Sequence, residues 1–95
     1  MLHGLTYAHL MTGHNEDALA TARHGIEEMP KHGSNYRCAI VALVRLGRFA
    51  EARATLARLL EIVPDTNLGK VIPPSQYPGF AKGYLADLQR VGYPQ

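Results

Sequence analysis

The sequence predicts an all-α fold: two helical hairpins forming a fragment of an α–α superhelix, an irregular Pro/Gly-rich linker and a C-terminal capping helix. Three observations predict it. The chain matches itself at an offset of 34 residues, its apolar residues recur at helical spacing on both sides of that offset, and its composition changes abruptly between Asp65 and Pro78. At 95 residues the chain forms one domain, 1–95. It divides into a first repeat (1–34), a second repeat (35–68), a linker (69–79) and a closing helix (80–92).

The self-match pairs Ala8 with Ala42, Gly13 with Gly47, Ala18 with Ala52, Ala20 with Ala54, Thr21 with Thr55, Glu27 with Glu61 and Pro30 with Pro64. These positions include a turn glycine, small packing residues and a terminating proline, so they carry structural meaning. In the first repeat, Leu2, Leu5, Thr6, His9 and Leu10 line the inner face of the first helix, and Gly13 ends it. Asn15 is suited to cap the next helix. There Ala18, Leu19, Ala22, Gly25, Ile26 and Met29 face inward as far as Pro30. Glycine inside a helix costs about 1 kcal/mol relative to alanine. Gly25 therefore predicts a close approach to a neighbouring backbone.

The second repeat follows the same plan. Tyr36, Ala39, Ile40, Leu43 and Val44 fall at i, i+3, i+4, i+7 and i+8, so a helix is expected from about Tyr36 to Leu46. Ser34 and Asn35 are its candidate caps, and Gly47 ends it because glycine accepts a left-handed conformation at little cost. A second helix begins near Phe49, buries Phe49, Ala52, Leu56, Leu59, Leu60 and Val63, and stops at Pro64. The small Ala52 lets the paired helices approach closely. Beyond Asp65, Gly69, Pro73, Pro74, Pro78 and Gly79 exclude a long helix, although one turn near Thr66–Lys70 is compatible with the sequence. Periodicity returns with Phe80, Tyr84, Leu88 and Val91, accompanied by Leu85, in a helix that ends at Gly92. A repeat stack needs such a terminal element to shield its last hairpin.

Composition excludes several function classes. Hydrophobic residues make up 46% of the chain, which argues against disorder over its first two thirds. A formal charge of +2, with few aromatics, provides neither the footprint nor the stacking platform for nucleic acid. The longest apolar run, Cys38–Val44, is too short to span a bilayer, and Met1-Leu2-His3-Gly4 lacks a signal-peptide start. Cys38 is the single cysteine and has no internal disulfide partner. It reads as a structural thiol of a cytoplasmic protein. The first residues already have the pattern of a helix interior, so the chain is expected to begin inside a longer protein.

The residues Tyr36, Ala39, Ile40, Leu43, Gly47, Phe49, Ala52, Leu56, Leu59 and Pro64, set against the aromatic, large, small and proline signature of the tetratricopeptide repeat family, resemble that family, and the resemblance extends across residues 1–64. Ile40 and Leu2 depart from its usual small residue and tryptophan. The resemblance implies a groove lined by first helices that holds a protein segment. Carried to this chain, the groove is lined by His3, Tyr7, Leu10 and Met11 in the first repeat and by Arg37, Val41, Val44 and Arg45 in the second. Val41 stands where chaperone-binding members carry an asparagine that grips a peptide carboxylate, which argues against that role. A second resemblance, of Tyr84-Leu85, Leu88, Gly92 and Pro94, is to the C-termini of bacterial signalling proteins that carry a nucleotidyl (adenylate) cyclase or winged-helix domain. No cyclase carboxylate motif occurs in the chain, so this resemblance concerns a parent protein.

Catalytic and metal-binding chemistry is not indicated. His3, His9, His14, His24 and His32 contain no i, i+4 pair, so no metal or other cofactor is expected. Glu27 and Glu28 are adjacent on a helix and do not face each other. Arg45, Arg48, Arg53 and Arg58 make the second hairpin basic. They read either as a patch for an acidic segment or phosphates, or as a solvated face beside Glu51 and Glu61. Tyr7, Leu10, Met11, Val41 and Val44 lie on faces that two hairpins alone do not cover, and exposed apolar area of this kind marks contact sites. The sequence therefore predicts a non-catalytic interaction module. Its partner is a protein or peptide segment, a second copy, or upstream repeats, with neither nucleic acid nor membrane involved. The alternative is a regulatory or oligomerisation segment of a multidomain cyclase or transcriptional regulator.

Overall fold

The computed structural model describes residues 10, 12–67 and 78–94 of the chain, with side chains in the last segment from residue 82. Four helices occur among these residues, with no strand: α1 (Asn15–Glu28), α2 (Gly33–Arg45), α3 (Phe49–Ile62) and α4 (Pro78–Arg90). The fold is all-α. The expected first helix of the first repeat lies outside the described residues, apart from Leu10. So do the 34-residue match of Ala8 with Ala42 and most of the linker.

The 34-residue offset is present in the backbone. Helices α1 and α3 are each 14 residues long, and both their first and last residues are 34 positions apart. The residues before them share one conformation, His14 at φ −83°, ψ 65° and Arg48 at φ −93°, ψ 63°. The residues after them do too, Met29 at φ −135°, ψ 72° and Val63 at φ −129°, ψ 75°. Both leave the helical region, as expected of residues preceding Pro30 and Pro64. Gly13 and Gly47 adopt φ of +81° and +77°, which β-carbon-bearing residues avoid. After α2, the Gly47 amide donates to the Val44 carbonyl (3.0 Å) and the Arg48 amide to the Leu43 carbonyl (2.8 Å). Gly92 and Tyr93 close α4 in the same way, on Gln89 (3.0 Å) and Leu88 (3.2 Å). The three-residue turn 46–48 sends α3 back along α2 as an antiparallel hairpin.

Helix starts differ from expectation. Asn15 is the first residue of α1 and does not cap it; His14 holds the cap position without a side-chain hydrogen bond. α2 begins at Gly33, so Ser34 and Asn35 lie within it, and α4 begins at Pro78. Proline is well placed there, because a first-turn amide has no helical acceptor. Asn35, freed from capping, is 3% exposed and lies over Gly25. A β-carbon on Gly25 would approach the Asn35 amide group to 2.7 Å. The close neighbour that Gly25 predicts is thus a side chain, and the backbone contact expected from sequence is corrected.

α2 is the interior of the molecule. Asn35, Tyr36 and every residue from Cys38 to Val44 are buried, and a helix without a polar face must be enclosed. α1, α3 and α4 all pack against it. α1 contributes Ala18, Leu19 and Ala22, α3 contributes Ala52, Leu56 and Leu59, and α4 contributes Tyr84 and Leu88. The Tyr36 hydroxyl donates to the Pro30 carbonyl at 2.7 Å, which satisfies a polar group taken from water. Cys38 is buried, as expected of a structural thiol. Met29, expected to face inward, is 57% exposed because α1 ends one residue before it.

Gly25→Ala is expected to lower stability in urea unfolding although alanine is the better helix former, because the added methyl strikes Asn35. Overpacking of this kind costs about 1–3 kcal/mol. The double change Gly25→Ala with Asn35→Ala should recover most of that loss. An equal loss in the single and double variants would show that the contact is not the cause.

A candidate contact surface along the central helix

The residues assigned to a partner-binding groove separate into three groups. His3, Tyr7 and Met11 lie outside the described residues. Leu10, Val41 and Val44 are buried. Arg37 and Arg45 are half-buried. The face of α2 expected to stay uncovered by two hairpins is therefore covered, which corrects the expectation of open apolar area at Val41 and Val44.

The cover is α4. Cys38, Val41, Ala42 and Arg45 occupy one stripe of α2, at i, i+3, i+4 and i+7, and α4 touches both ends of it. The Tyr84 hydroxyl lies 3.9 Å from the Cys38 sulfur in a buried contact. Arg45 Nε donates to Asp87 Oδ2 at 2.9 Å. The same guanidinium donates through Nη1 to the Leu10 carbonyl at 3.0 Å, so one side chain ties three segments together. The Arg45 and Asp87 side chains are 23% and 14% exposed, and Arg90 approaches the other Asp87 oxygen at 3.9 Å. Two further contacts seat the C-terminus: Tyr93 and Thr66 hydroxyls meet at 2.9 Å in the interior, and the Arg90 guanidinium stands 5.5 Å from the Phe49 ring centroid.

Sequence reasoning did not find Tyr84 or Asp87 as members of this surface. One signal was available. Asp87 is the single acidic residue between Pro78 and Gln95, and Arg45 ends an otherwise apolar run on α2.

The four arginines of the second hairpin do not act together. Arg45 is engaged by Asp87. Arg48 donates to Glu51 at 2.7 Å, and Arg23 reaches the same carboxylate at 3.4 Å. The hydrogen bond from Arg48 holds the Glu51 carboxyl below its usual range, with a smaller contribution from Arg23. That bond also raises Arg48. Arg53 and Arg58 are exposed on α3. Arg37 donates to the Ser34 hydroxyl at 3.0 Å.

Two open concavities flank the helices. One, of about 380 Å³, is lined by Met29, Pro30, Lys31 and His32. The other, of about 260 Å³, is lined by Gly13 to Asp17 and Leu46, with His14 Nδ1 2.8 Å from the Thr12 hydroxyl. Among the described residues no three His, Cys, Asp or Glu side chains gather as metal ligands, and no helix is long and apolar enough to cross a membrane. Glu27 and Glu28 are exposed, and His24 bonds Glu28 at 3.0 Å across one helical turn.

Arg45→Met should destabilise the fold by about 1–3 kcal/mol, between the values for exposed and buried ion pairs, because it leaves Asp87 and the Leu10 carbonyl without their donor. A double-mutant cycle with Asp87→Asn measures the coupling. Additive losses would show that the two side chains do not act as a pair.

In comparisons with family models, with curated proteins and with solved structures, no match to the chain was found.

Proposed function

We propose that the chain is a non-catalytic interaction module that holds a helical or extended protein segment, or a second copy of itself, through the first-helix face of a tetratricopeptide-like stack. The observation that carries this reading is the recurrence of α1 as α3: the same length, the same flanking dihedral angles and the same left-handed glycine, 34 residues apart. A unit that recurs with its termini intact stacks on its neighbour by repeating one contact, and such stacks act by presenting a surface. The groove assigned from sequence, His3, Tyr7, Leu10, Met11, Arg37, Val41, Val44 and Arg45, follows the first helices of the two repeats. In its second-repeat half, Arg45 meets Asp87 of α4, and Val41 and Val44 are buried.

Light scattering on the full chain from micromolar to millimolar concentration tests the reading together with selection from a displayed peptide library. The module reading expects either a mass that rises with concentration or peptides that bind reproducibly and compete with one another. A chain that stays strictly monomeric and selects no competing peptide contradicts it.

A further inference from the structure

We infer that the outer edge of α3, which carries Arg53 and Arg58, docks on the outer edge of α1 of a second copy, which carries Asp17 and Glu27, so that copies join head to tail. This inference rests on the interaction-module reading and assigns a contact to its second-copy partner.

The molecule makes a contact of this kind once within itself. Arg23, on the exposed side of α1, reaches Glu51 in the first turn of α3 at 3.4 Å. Helices α1 and α3 are the same unit 34 residues apart, so the contact runs from an arginine on one unit to an acid in the first turn of the next. Asp17 occupies on α1 the position that Glu51 occupies on α3. It is exposed, and it has neither a hydrogen bond nor an ion pair among the described residues. The acceptor half of the contact is thus unmatched on α1.

The donor half is unmatched on α3. Arg53 and Arg58 are exposed and, among the described residues, have no hydrogen bond or ion pair. The repeat equivalent of Arg23 is Ala57, and the two arginines bracket it, Arg53 one turn earlier on the same face and Arg58 one residue later. Arg53 stands where α1 has Leu19, which is buried. The side of the helix that is apolar in the first unit is therefore cationic in the second, which suits an acidic neighbour. Between the arginines Ala54 and Ala57 are exposed, and their small side chains let another helix come close.

The two edges have opposite charge. On α3, Glu51 is taken by Arg48 and Arg23, and Arg53 and Arg58 outweigh Glu61. On α1, Arg23 is held by Glu51 and Glu28 by His24, which leaves Glu16, Asp17 and Glu27. Like edges repel, so a two-fold symmetric pair through either one is disfavoured, and α1 against α3 brings unlike charges together. A contact between two different faces leaves one of each free on every dimer, so it grows into chains unless the rotation closes a ring. Exposed ion pairs are individually weak and screened by salt, so growth belongs to concentrated solutions of low ionic strength.

Sedimentation equilibrium on the full chain tests this. At low ionic strength the mean mass should rise past that of the dimer with concentration, and at about 1 M salt, where the Debye length is about 3 Å, it should fall to that of the monomer. Arg53→Gln with Arg58→Gln and, separately, Asp17→Asn with Glu27→Gln should each stay monomeric with helix content by circular dichroism retained. Mixed in equal amounts they should form a dimer that grows no further, because each supplies one edge and lacks the other. Reversing all four charges in one chain should restore self-association, which keeps the test decisive if a neutral variant folds poorly. The inference is overturned by a wild-type chain that stays monomeric at low ionic strength, by a mass that salt does not change, by a neutral variant that associates as the wild type does, by an equal mixture that stays monomeric, or by a folded four-charge reversal that does. A chain that fails here yet selects competing peptides, or associates through a salt-insensitive contact, keeps its module reading and loses these edges.

Discussion

A helical stretch with no polar side has to be enclosed, and Cys38–Val44 of α2 is such a stretch. From Cys38 to Val44 every side chain is buried. Full burial of a large apolar side chain stabilises by about 1.5–3 kcal/mol, so Ile40, Leu43 and Val44 dominate the core. The remaining described elements meet that need: α1 and α3 pack against α2 across short turns, and α4 packs on it as well. The alanines at 18, 22 and 52 bring the flanking helices close, and the left-handed glycines at 13 and 47 let the chain turn sharply enough. Packing of this kind defines the fold, and the polar contacts then fix its register.

Those polar contacts are few and placed at the edges. Tyr36 to Pro30, Arg45 to Asp87 and Leu10, and Thr66 to Tyr93 each join segments distant in sequence or cross a turn. Each satisfies a group that would otherwise lose its water on burial. The exposed Arg48–Glu51 pair differs in kind. Its carboxylate is held low by the arginine, but solvent screens the interaction, and it contributes to the first turn of α3 more than to the core.

Much of the fold was legible in the sequence. The stripes Tyr36–Val44 and Ala52–Leu59 and the glycines at 13, 47 and 92 identify helices and turns because burial periodicity and left-handed backbone are properties of local sequence. Helix starts were harder to read. Asn15, Ser34 and Asn35 have capping chemistry, yet α1 and α2 begin with no side-chain cap, and packing against Gly25 claims Asn35 instead. The candidate site was legible on one side only. Val41, Val44 and Arg45 were identified as groove residues, but the meeting of Cys38 with Tyr84 and of Arg45 with Asp87 is a long-range pairing that no periodicity encodes. Met29 shows the same limit in reverse: its position continues the apolar stripe, while the helix ends before reaching it.

α2 is the enclosed core, and among the described residues α4 packs on it less extensively than α1 and α3 do. Native-state hydrogen exchange of the full chain tests this most directly. The account predicts that amides from Ile40 to Val44 exchange only through global unfolding, whereas amides from Tyr84 to Arg90 exchange through a smaller opening with weaker denaturant dependence. Equal protection and equal denaturant dependence in the two helices would contradict it, by showing that α4 is as integral to the core as the helix it covers.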